Sequence, residues 1–407
     1  MRVEIATIGD EVLEGRTINA NGALISRALS EKGYEVCRQT VLPMDSEALF
    51  MGLKELLDRS TLVVATGGLG SLMNDATKLV ATRLFCTSLQ IDSSLYDDLL
   101  ERYGSGPAIE EMARVPRNSI VLPNRIGTAP GFLFLSTEGS LLLLPGTPRE
   151  MEHMFHQSAS PLLAEHFPVV AKQQSLHLHL CQISEHALDP ILREIQSAHP
   201  DARIDVYPSL GTLEVRFSVS RDFGRMDQWA ELIRKAFPTF LFDGPSIHEA
   251  VHRAMIARGQ TLALAESCTG GALSARLVLL PGASKYLLGS IVAYSDAFKE
   301  RFLHVSPKTL ETEGPVSIET AGEMVQGLFQ TTRADYAIAI TGWAGTGAGS
   351  ASIPAGTIFI AVGKRGGSID CGRIQAPPDR AGAIELAVQY ALGALWRRIT
   401  YQAMTFL

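Results

Sequence analysis

Short apolar runs that end in a glycine-rich or polar turn and lead into a helical pattern recur along this chain. The first three are Val3–Ile8, Thr61–Ala65 and Leu141–Leu144. Such runs between helical periods are typical of strands that helices cover on both faces. The pattern predicts an α/β architecture in which parallel strands lie between layers of helices.

The strand and helix pattern divides the 407 residues into three predicted domains. Residues 1–168 carry the first set of apolar runs, and residues 246–407 carry a second, similar set. Residues 169–245 between them change to a β-α-β-β-α-β order, which predicts a small α+β spacer domain. The turn-forming pair Gly244-Pro245 marks the second boundary.

Charge and composition exclude several classes of protein. The chain has 36 Lys and Arg residues against 43 Asp and Glu residues, for a net charge of −7. It shows no dense basic run, so direct contact with nucleic acid is not expected. Neither a signal-peptide pattern nor a continuous apolar run of about 20 residues occurs. Five scattered cysteines without a CxxC pair suggest reduced thiols, and we expect a cytoplasmic protein.

The densest polar motif is Ala-Glu-Ser-Cys-Thr-Gly-Gly at residues 265–271, where a predicted strand passes into a predicted helix. A serine at this junction, Ser267, stands at the carboxyl edge of the sheet, where open α/β sheets bind ligands. The alternative is that Ser267 or Thr269 only caps the helix, and the local sequence alone favours capping.

Tyr294 and Lys299 follow another predicted strand and lie five residues apart. A serine–lysine pair performs nucleophilic catalysis when burial or a nearby charge lowers the lysine pKa enough for the amine to accept the serine proton. A lysine at such a helical position is otherwise commonly solvated. The histidines of this part of the chain are distant from Ser267 in sequence, which gives a Ser-His-Asp arrangement little support.

A glycine-rich turn at residues 341–349 and the pair Asp379-Arg380 complete the polar features of the C-terminal part. Backbone amides of successive small residues can converge on an anion, and an arginine at a helix start can hold a phosphate. Both features also have a purely structural interpretation. Glycines can serve only to turn the chain, and an exposed arginine at a helix start needs no function.

Together, several spaced motifs resemble the C-terminal domain of the CinA family. The motifs are Ala265 to Gly271, Tyr294-Ser295 with Lys299, Thr341-Gly342, Pro354 with Gly356-Thr357, and Asp379-Arg380. The resemblance implies nicotinamide mononucleotide (NMN) amidohydrolase activity, in which NMN and water give nicotinate mononucleotide and ammonia. It implies Ser267 as nucleophile, Lys299 as base and Tyr294 as an orienting or relay group, with no cofactor. The implied substrate-binding residues are Cys268, Thr269, Gly270, Gly271, Thr341, Gly342, Gly345 and Arg380.

The N-terminal part is similar to the same family and, more distantly, to the molybdopterin-binding MoaB/MogA-like fold. In some relatives this domain is a metal-dependent ADP-ribose pyrophosphatase. The implied ligand-site residues are Asp10, Gly67, Gly68, Gly70, Asp75, Gly146 and Glu150. Of these, Asp10 and Asp75 are the candidate ligands of a divalent metal.

This chain departs from the family pattern in both end domains. The family usually has Gly-Pro-Thr-x-Asp-Asp-x-Thr where Leu72 and Asn74 stand here, so a hydroxyl and a carboxylate are missing. The loss of charge disfavours a hard divalent cation. In the C-terminal domain, Asp296 replaces the usual asparagine, and the glycine-rich turn is altered at Trp343, Thr346 and Ala348.

The preferred function is therefore an NMN amidohydrolase, and two alternatives remain open. One is an N-terminal pyrophosphatase or a nucleotide- or pterin-binding domain. The other is an accessory binding protein in DNA uptake or repair, acting through a protein partner. The expected partner is a small-molecule nucleotide, with no membrane association, and the expected assembly is a homo-oligomer, preferably a dimer.

Overall fold

The computed structural model describes residues 1–70, 75–169, 174–200, 202–219, 224–345, 353–403 and 406. The chain divides into two compact units, Met1–Lys172 and Gln173–Leu407. Leu72, Asn74 and residues 346–349 of the glycine-rich turn lie outside the described residues. No helix in the described part of the chain is long and apolar enough to cross a membrane.

The first unit is built on a six-stranded sheet. The strands of the whole unit are β1 (Val3–Ile8), β2 (Val36–Leu42), β3 (Leu62–Thr66), β4 (Leu89–Ile91), β5 (Arg114–Pro116), β6 (Ile120–Leu122), β7 (Gly131–Phe134) and β8 (Ser140–Leu144). Its helices are α1 (Asp10–Leu13), α2 (Ala20–Glu31), α3 (Ser46–Arg59), α4 (Thr77–Leu84), α5 (Ser93–Tyr103), α6 (Pro107–Met112), α7 (Pro148–Met154) and α8 (Ser160–His166).

The order of this sheet is β2-β1-β3-β8-β7-β6, and β4 pairs with β5 separately. The prediction of a parallel sheet is wrong for two pairings, since β7 is antiparallel to β8 and β6 is antiparallel to β7. Both pairs are joined by short connections that need no crossover helix. Separate apolar cores lie on the two faces, so the sheet is covered on both sides as expected.

The second unit contains two sheets. Its strands are β9 (Gln174–Cys181), β10 (Arg203–Ser209), β11 (Thr212–Val219), β12 (Leu241–Phe242), β13 (Leu262–Glu266), β14 (Leu287–Val292), β15 (Tyr336–Gly342), β16 (Thr357–Lys364) and β17 (Ile369–Gln375). Its helices are α9 (Glu185–Ala198), α10 (Gly224–Ala236), α11 (Ile247–Arg258), α12 (Ala272–Val278), α13 (Asp296–Leu303), α14 (Pro307–Thr312), α15 (Ile318–Thr331) and α16 (Arg380–Tyr401).

The four-stranded sheet β10-β11-β9-β12 packs against α9 and α10 and has the predicted β-α-β-β-α-β order. It contacts the C-terminal part directly, since the indole of Trp396 in α16 donates a hydrogen bond of 2.7 Å to the Leu241 carbonyl. The boundaries at residues 169 and 245 stay a prediction.

The five-stranded sheet has the order β14-β13-β15-β16-β17. Its first three strands are parallel, while β16 is antiparallel to β15 and β17 is antiparallel to β16. Apolar cores on both faces bury β13 and β15. The carboxyl ends of three parallel strands therefore meet at one edge, and this edge carries the candidate site.

Candidate active site

Ser267 lies at the carboxyl edge of the sheet, between the ends of two neighbouring strands. It follows Glu266, the last residue of β13, whose register partners are Val292 and Ile340. The Ser267 N–H donates to the Ile340 carbonyl at 2.9 Å, and the Ala293 N–H donates to the Glu266 carbonyl at 2.8 Å. The backbone of Ser267 is thus fixed from both sides.

The Glu266 carboxylate organises the turn that follows Ser267. It is fully buried and accepts hydrogen bonds of 2.9 to 3.1 Å from two hydroxyls and three backbone N–H groups. The donors are Thr269 Oγ1, Ser290 Oγ and the N–H groups of Gly271, Leu273 and Ser274. Glu266 is not among the predicted site residues, although a carboxylate at the end of an apolar strand is a signal of such a role, since buried charges need partners.

The capping alternative for Ser267 is wrong. The helix predicted from Thr269 begins at Ala272, because Gly270 and Gly271 adopt left-handed φ angles of 59° and 102°. Gly271 is the N-cap, and the Thr269 hydroxyl donates its hydrogen bond to Glu266. Within the described part of the chain, the Ser267 hydroxyl has no hydrogen-bond partner.

Lys299, the fourth residue of α13, is buried, and α13 follows β14. Its Nζ lies 3.8 Å from Asp296 Oδ1, its one charged contact among the described residues. Burial lowers the pKa of Lys299, and the Asp296 charge opposes that shift. The lowered pKa is the direction that a general base requires. No hydrogen bond joins Lys299 to Ser267 in the described residues.

Cys268, next to Ser267, is a poor nucleophile in this setting. Burial raises the pKa of its thiol to about 12, although the charges of Lys299 and Arg380 favour the thiolate. Thiols react as thiolates, so Cys268 stays protonated and unreactive near neutral pH. The electrostatic effect of Lys299 and Arg380 on Cys268 also indicates that both cations lie near the turn of Ser267.

Arg380 and Tyr294 meet at the outer side of this edge. The Arg380 Nη1 donates to the Tyr294 hydroxyl at 3.4 Å, and both side chains are exposed. Arg380 is the first residue of α16, which Asp379 caps by accepting a hydrogen bond from the Gly382 N–H. Gly345 has a φ of 91° and packs against Arg380, since a Cβ there would lie 3.0 Å from the Arg380 Cβ.

Thr341 and Gly342 have structural contacts. The Thr341 hydroxyl is buried and donates to the Pro315 carbonyl at 2.6 Å. A Cβ on Gly342 would lie 2.7 Å from Ile358, so this position keeps β15 close to β16. Their predicted role in substrate binding is limited to backbone groups and stays a prediction.

Two of the N-terminal candidate residues, Gly67 and Gly146, lie beside Asn21, which is not among the predicted site residues. Its Nδ2 donates to Thr66 Oγ1 at 2.9 Å and to the Gly146 carbonyl at 2.7 Å. Its Oδ1 is buried without a hydrogen-bond partner in the described residues. Gly67 has a φ of 113°, and a Cβ there would lie 2.1 Å from the Ile8 carbonyl oxygen, so only glycine fits.

The acidic candidate residues of this unit each contact a different part of the chain. Asp10 is exposed and accepts a hydrogen bond from the Met44 N–H at 3.1 Å. Glu150 accepts one from Asn124 at 2.6 Å, and Asp75 lies against Gly70. Gly68 follows Gly67 in the same turn with a φ of 63°. Among the described residues, no group of three or more His, Cys, Asp or Glu side chains could hold a metal ion.

Comparison with known proteins finds relatives along nearly the whole chain. Residues 245–399 match the family model described as "CinA C-terminal domain", and residues 4–165 match "Probable molybdopterin binding domain". A "CinA-like protein" of Chlorobium phaeobacteroides is 33% identical over 384 residues, which are 90% of either chain. Another of Gemmatimonas aurantiaca is 33% identical over 418 residues, covering 99% of this chain and 97% of the relative. A "Putative competence-damage inducible protein" of Halothermothrix orenii is 29% identical over 421 residues, covering 98% of this chain and 99% of the relative.

Proposed function

The chain belongs to the CinA family, and we propose that its C-terminal part is an amidohydrolase that converts NMN into nicotinate mononucleotide and ammonia. One observation carries the proposal. A buried lysine with a lowered pKa lies at the same sheet edge as a serine whose hydroxyl has no hydrogen-bond partner in the described residues. This is the combination that nucleophilic catalysis without histidine requires.

In the proposed reaction, the Ser267 Oγ attacks the carboxamide carbon while the Lys299 amine accepts the hydroxyl proton. Collapse of the tetrahedral intermediate expels ammonia, to which Lys299 returns that proton, and leaves an ester on Ser267. Water then attacks the ester with Lys299 again as base, which releases the nicotinate and restores Ser267. The proposed reaction consumes one water molecule and uses no metal.

The turn after Ser267 supports stabilisation of the oxyanion. The N–H groups of Gly270 and Gly271 already donate to the Ser267 carbonyl and to Glu266. Those of Cys268 and Thr269 have no carbonyl or carboxylate acceptor among the described residues, so they are the donors that we assign to the oxyanion. Glu266 contributes by holding the turn in place before substrate binds.

Arg380 is the residue that we assign to the substrate phosphate. It is exposed, has no carboxylate partner among the described residues, and stands at the N-terminus of the 22-residue helix α16. Guanidinium groups and helix N-termini both favour phosphate. Tyr294 accepts a hydrogen bond from Arg380, which supports its assignment as an orienting group beside the phosphate.

The test is ammonia release from NMN by the purified full chain, with the nucleotide product identified by mass spectrometry. We expect the parent to form nicotinate mononucleotide and Ser267→Ala to lose this activity while it folds normally, because Glu266 and not Ser267 holds the start of α12. Ser274→Ala, in the first turn of α12, is the matched control and should retain turnover. Undiminished ammonia release by folded Ser267→Ala would contradict the assignment.

A second candidate function concerns the N-terminal unit, and the buried, unpartnered Asn21 Oδ1 favours it. A ligand with a donor group, such as a nucleobase or a pterin, would satisfy this oxygen. The adjoining cavity, lined by Asn21, Thr66, Gly67 and Gly146, has a volume of only about 90 Å³, against roughly 300 Å³ for the smallest typical ligand pockets. Calorimetric titration with ADP-ribose and with a pterin tests this binding. Asn21→Ala should abolish it.

A further inference from the structure

The four-stranded sheet of the second unit has one face that α9 and α10 do not cover. These helices pack on the opposite, apolar face, which carries Leu178 and its neighbours. On the other face, Tyr207, Glu214, His179 and Phe242 are successive register partners across β10, β11, β9 and β12. Register partners in an antiparallel sheet point to the same face, so these four side chains form one row across the sheet.

This row lines a cavity of about 440 Å³. Ile247 and His248 at the start of α11, with Glu385 and Gln389 of α16, line it from the C-terminal part of the same unit. The turn between β10 and β11 contacts α16 beside the cavity, since a Cβ on Gly211 would lie 2.9 Å from the Gln389 Cβ. Typical ligand pockets have volumes of roughly 300–1,000 Å³. The cavity is therefore large enough for a small organic molecule.

The charges of the lining exclude an anionic ligand. The described lining residues include two carboxylates, Glu214 and Glu385, and no lysine or arginine. Burial lowers the pKa of His179 and that of His248, so both imidazoles are neutral at pH 7. A phosphate or carboxylate ligand would lose its hydration here without gaining a cationic partner.

The two carboxylates differ in how their charge is balanced. Arg276 donates to both oxygens of Glu385, at 3.1 and 2.7 Å, so this carboxylate already has a cation. Glu214 Oε1 accepts a hydrogen bond of 2.7 Å from His177, and no lysine or arginine pairs with Glu214 in the described part of the chain. A carboxylate accepts about four hydrogen bonds. Glu214 can therefore accept further hydrogen bonds from the N–H groups of a cation.

Aromatic rings stand on both sides of Glu214 in the row. Tyr207 is its register partner on β10, and His179 is its partner on β9. The ring centroid of His179 lies 5.6 Å from that of Phe242, the next residue of the row. Aromatic faces attract cations and pack against flat apolar groups. The row thus combines a carboxylate with surfaces for a flat body.

We propose that this cavity binds a small organic cation, an amine or amidine carried on a flat apolar body. The charged group contacts Glu214, and the body lies against the rings of Tyr207 and Phe242. The inference does not depend on the reaction proposed above, because no residue assigned to that reaction lines the cavity.

The first test is calorimetric titration of the full chain with three probes that share an indole ring. Tryptamine is a cation, tryptophol is its neutral alcohol, and indole-3-propionate is an anion. Tryptamine should bind at least about tenfold more tightly than tryptophol, because hydrogen bonds to a carboxylate are stronger when the donor is charged. Indole-3-propionate should not bind. Equal affinity for tryptamine and tryptophol, or no saturation by tryptamine below about 10 mM, would overturn the proposal.

Two substitutions test the position of the ligand. Glu214→Gln keeps the shape of the side chain and removes its charge, so it should weaken tryptamine about tenfold and change tryptophol little. Tyr207→Ala removes a ring that is 46% exposed, so it should weaken both probes by the same factor. The control is Glu231→Gln, the same charge change on α10 at the opposite face, which should bind as the parent does.

Parental affinity for tryptamine in a folded Glu214→Gln protein would contradict the assignment of the charged group. If Glu214→Gln does not fold, Tyr207→Ala still decides, since parental affinity for both probes in that variant would place the ligand outside this cavity.

Discussion

At the residue scale, the candidate site depends on two carboxylates that act on different partners. Glu266 is fully buried and satisfies five donors of the turn that carries Ser267. Asp296 is largely exposed and acts on the charge of Lys299. The first determines the geometry of the nucleophile, and the second adjusts the proton affinity of the base.

Replacing Glu266 by glutamine should lower both stability and turnover. An amide offers one acceptor oxygen, and its NH2 group would face N–H donors, so several buried donors lose their partner. We expect a loss of about 2–4 kcal/mol in the free energy of unfolding. All three tryptophans (Trp229, Trp343 and Trp396) belong to the second unit, so their fluorescence in urea reports on this unit. Glu300→Gln, on the exposed side of α13, is the control, and equal urea midpoints for the two variants would contradict this role for Glu266.

The pH profile of the reaction should depend on Asp296. The deprotonated amine of Lys299 is the active form, so kcat/KM should rise with pH through the Lys299 pKa, which burial holds below its usual value near 10.5. The Asp296 charge raises that pKa, so Asp296→Asn should move the rising limb to lower pH. The measurement is kcat/KM for NMN from pH 5 to 10. Glu300→Gln should leave the limb in place, and an unshifted limb in Asp296→Asn would show that Lys299 is not the titrating base.

At the element scale, the positions of strands and helices could largely be predicted, but strand direction and the helix start at the site could not. The apolar runs Val3–Ile8 and Leu141–Leu144 are strands within one residue of their predicted bounds. Periodicity does not encode direction, so the antiparallel strands β7 and β16 were not anticipated. The late start of α12 depends on the left-handed glycines and on Glu266, a tertiary contact that no local pattern contains.

The start of α16 should determine the preference for a phosphorylated substrate. Arg380→Ala removes a cation at a helix N-terminus, and a charge-assisted hydrogen bond is worth about 1.5–3 kcal/mol, which corresponds to roughly ten- to hundredfold in kcat/KM. We therefore expect the kcat/KM of the variant to fall by that factor for NMN and to change little for nicotinamide riboside, which lacks the phosphate. Arg333→Ala, an exposed arginine beyond α15, is the control. If Arg380→Ala preferred NMN over nicotinamide riboside as strongly as the parent does, the phosphate would bind another residue.

At the scale of the whole molecule, two compact units carry two separate candidate sites. The Ser267 site uses residues of the second unit alone, and the Asn21 cluster uses residues of the first alone. Their chemistry also differs, since the proposed amide hydrolysis needs no metal, whereas phosphoanhydride cleavage relies on a divalent cation to offset the charge of the phosphates. Chelation should therefore affect the two activities differently.

The last prediction concerns the metal chemistry of the N-terminal unit. Leu72 and Asn74 stand where the family usually has a hydroxyl and a carboxylate, and the described residues offer no cluster of three metal-binding side chains. Hydrolysis of ADP-ribose by the unmodified chain should be weak or absent with Mg²⁺ or Mn²⁺ present, and ammonia release from NMN should survive EDTA. The double change Leu72→Thr and Asn74→Asp restores one hydroxyl and one negative charge for a hard cation, so it should raise any residual metal-dependent cleavage without altering the NMN reaction. Robust metal-dependent cleavage of ADP-ribose by the parent would show instead that Asp10, Asp75 or Glu150 suffice.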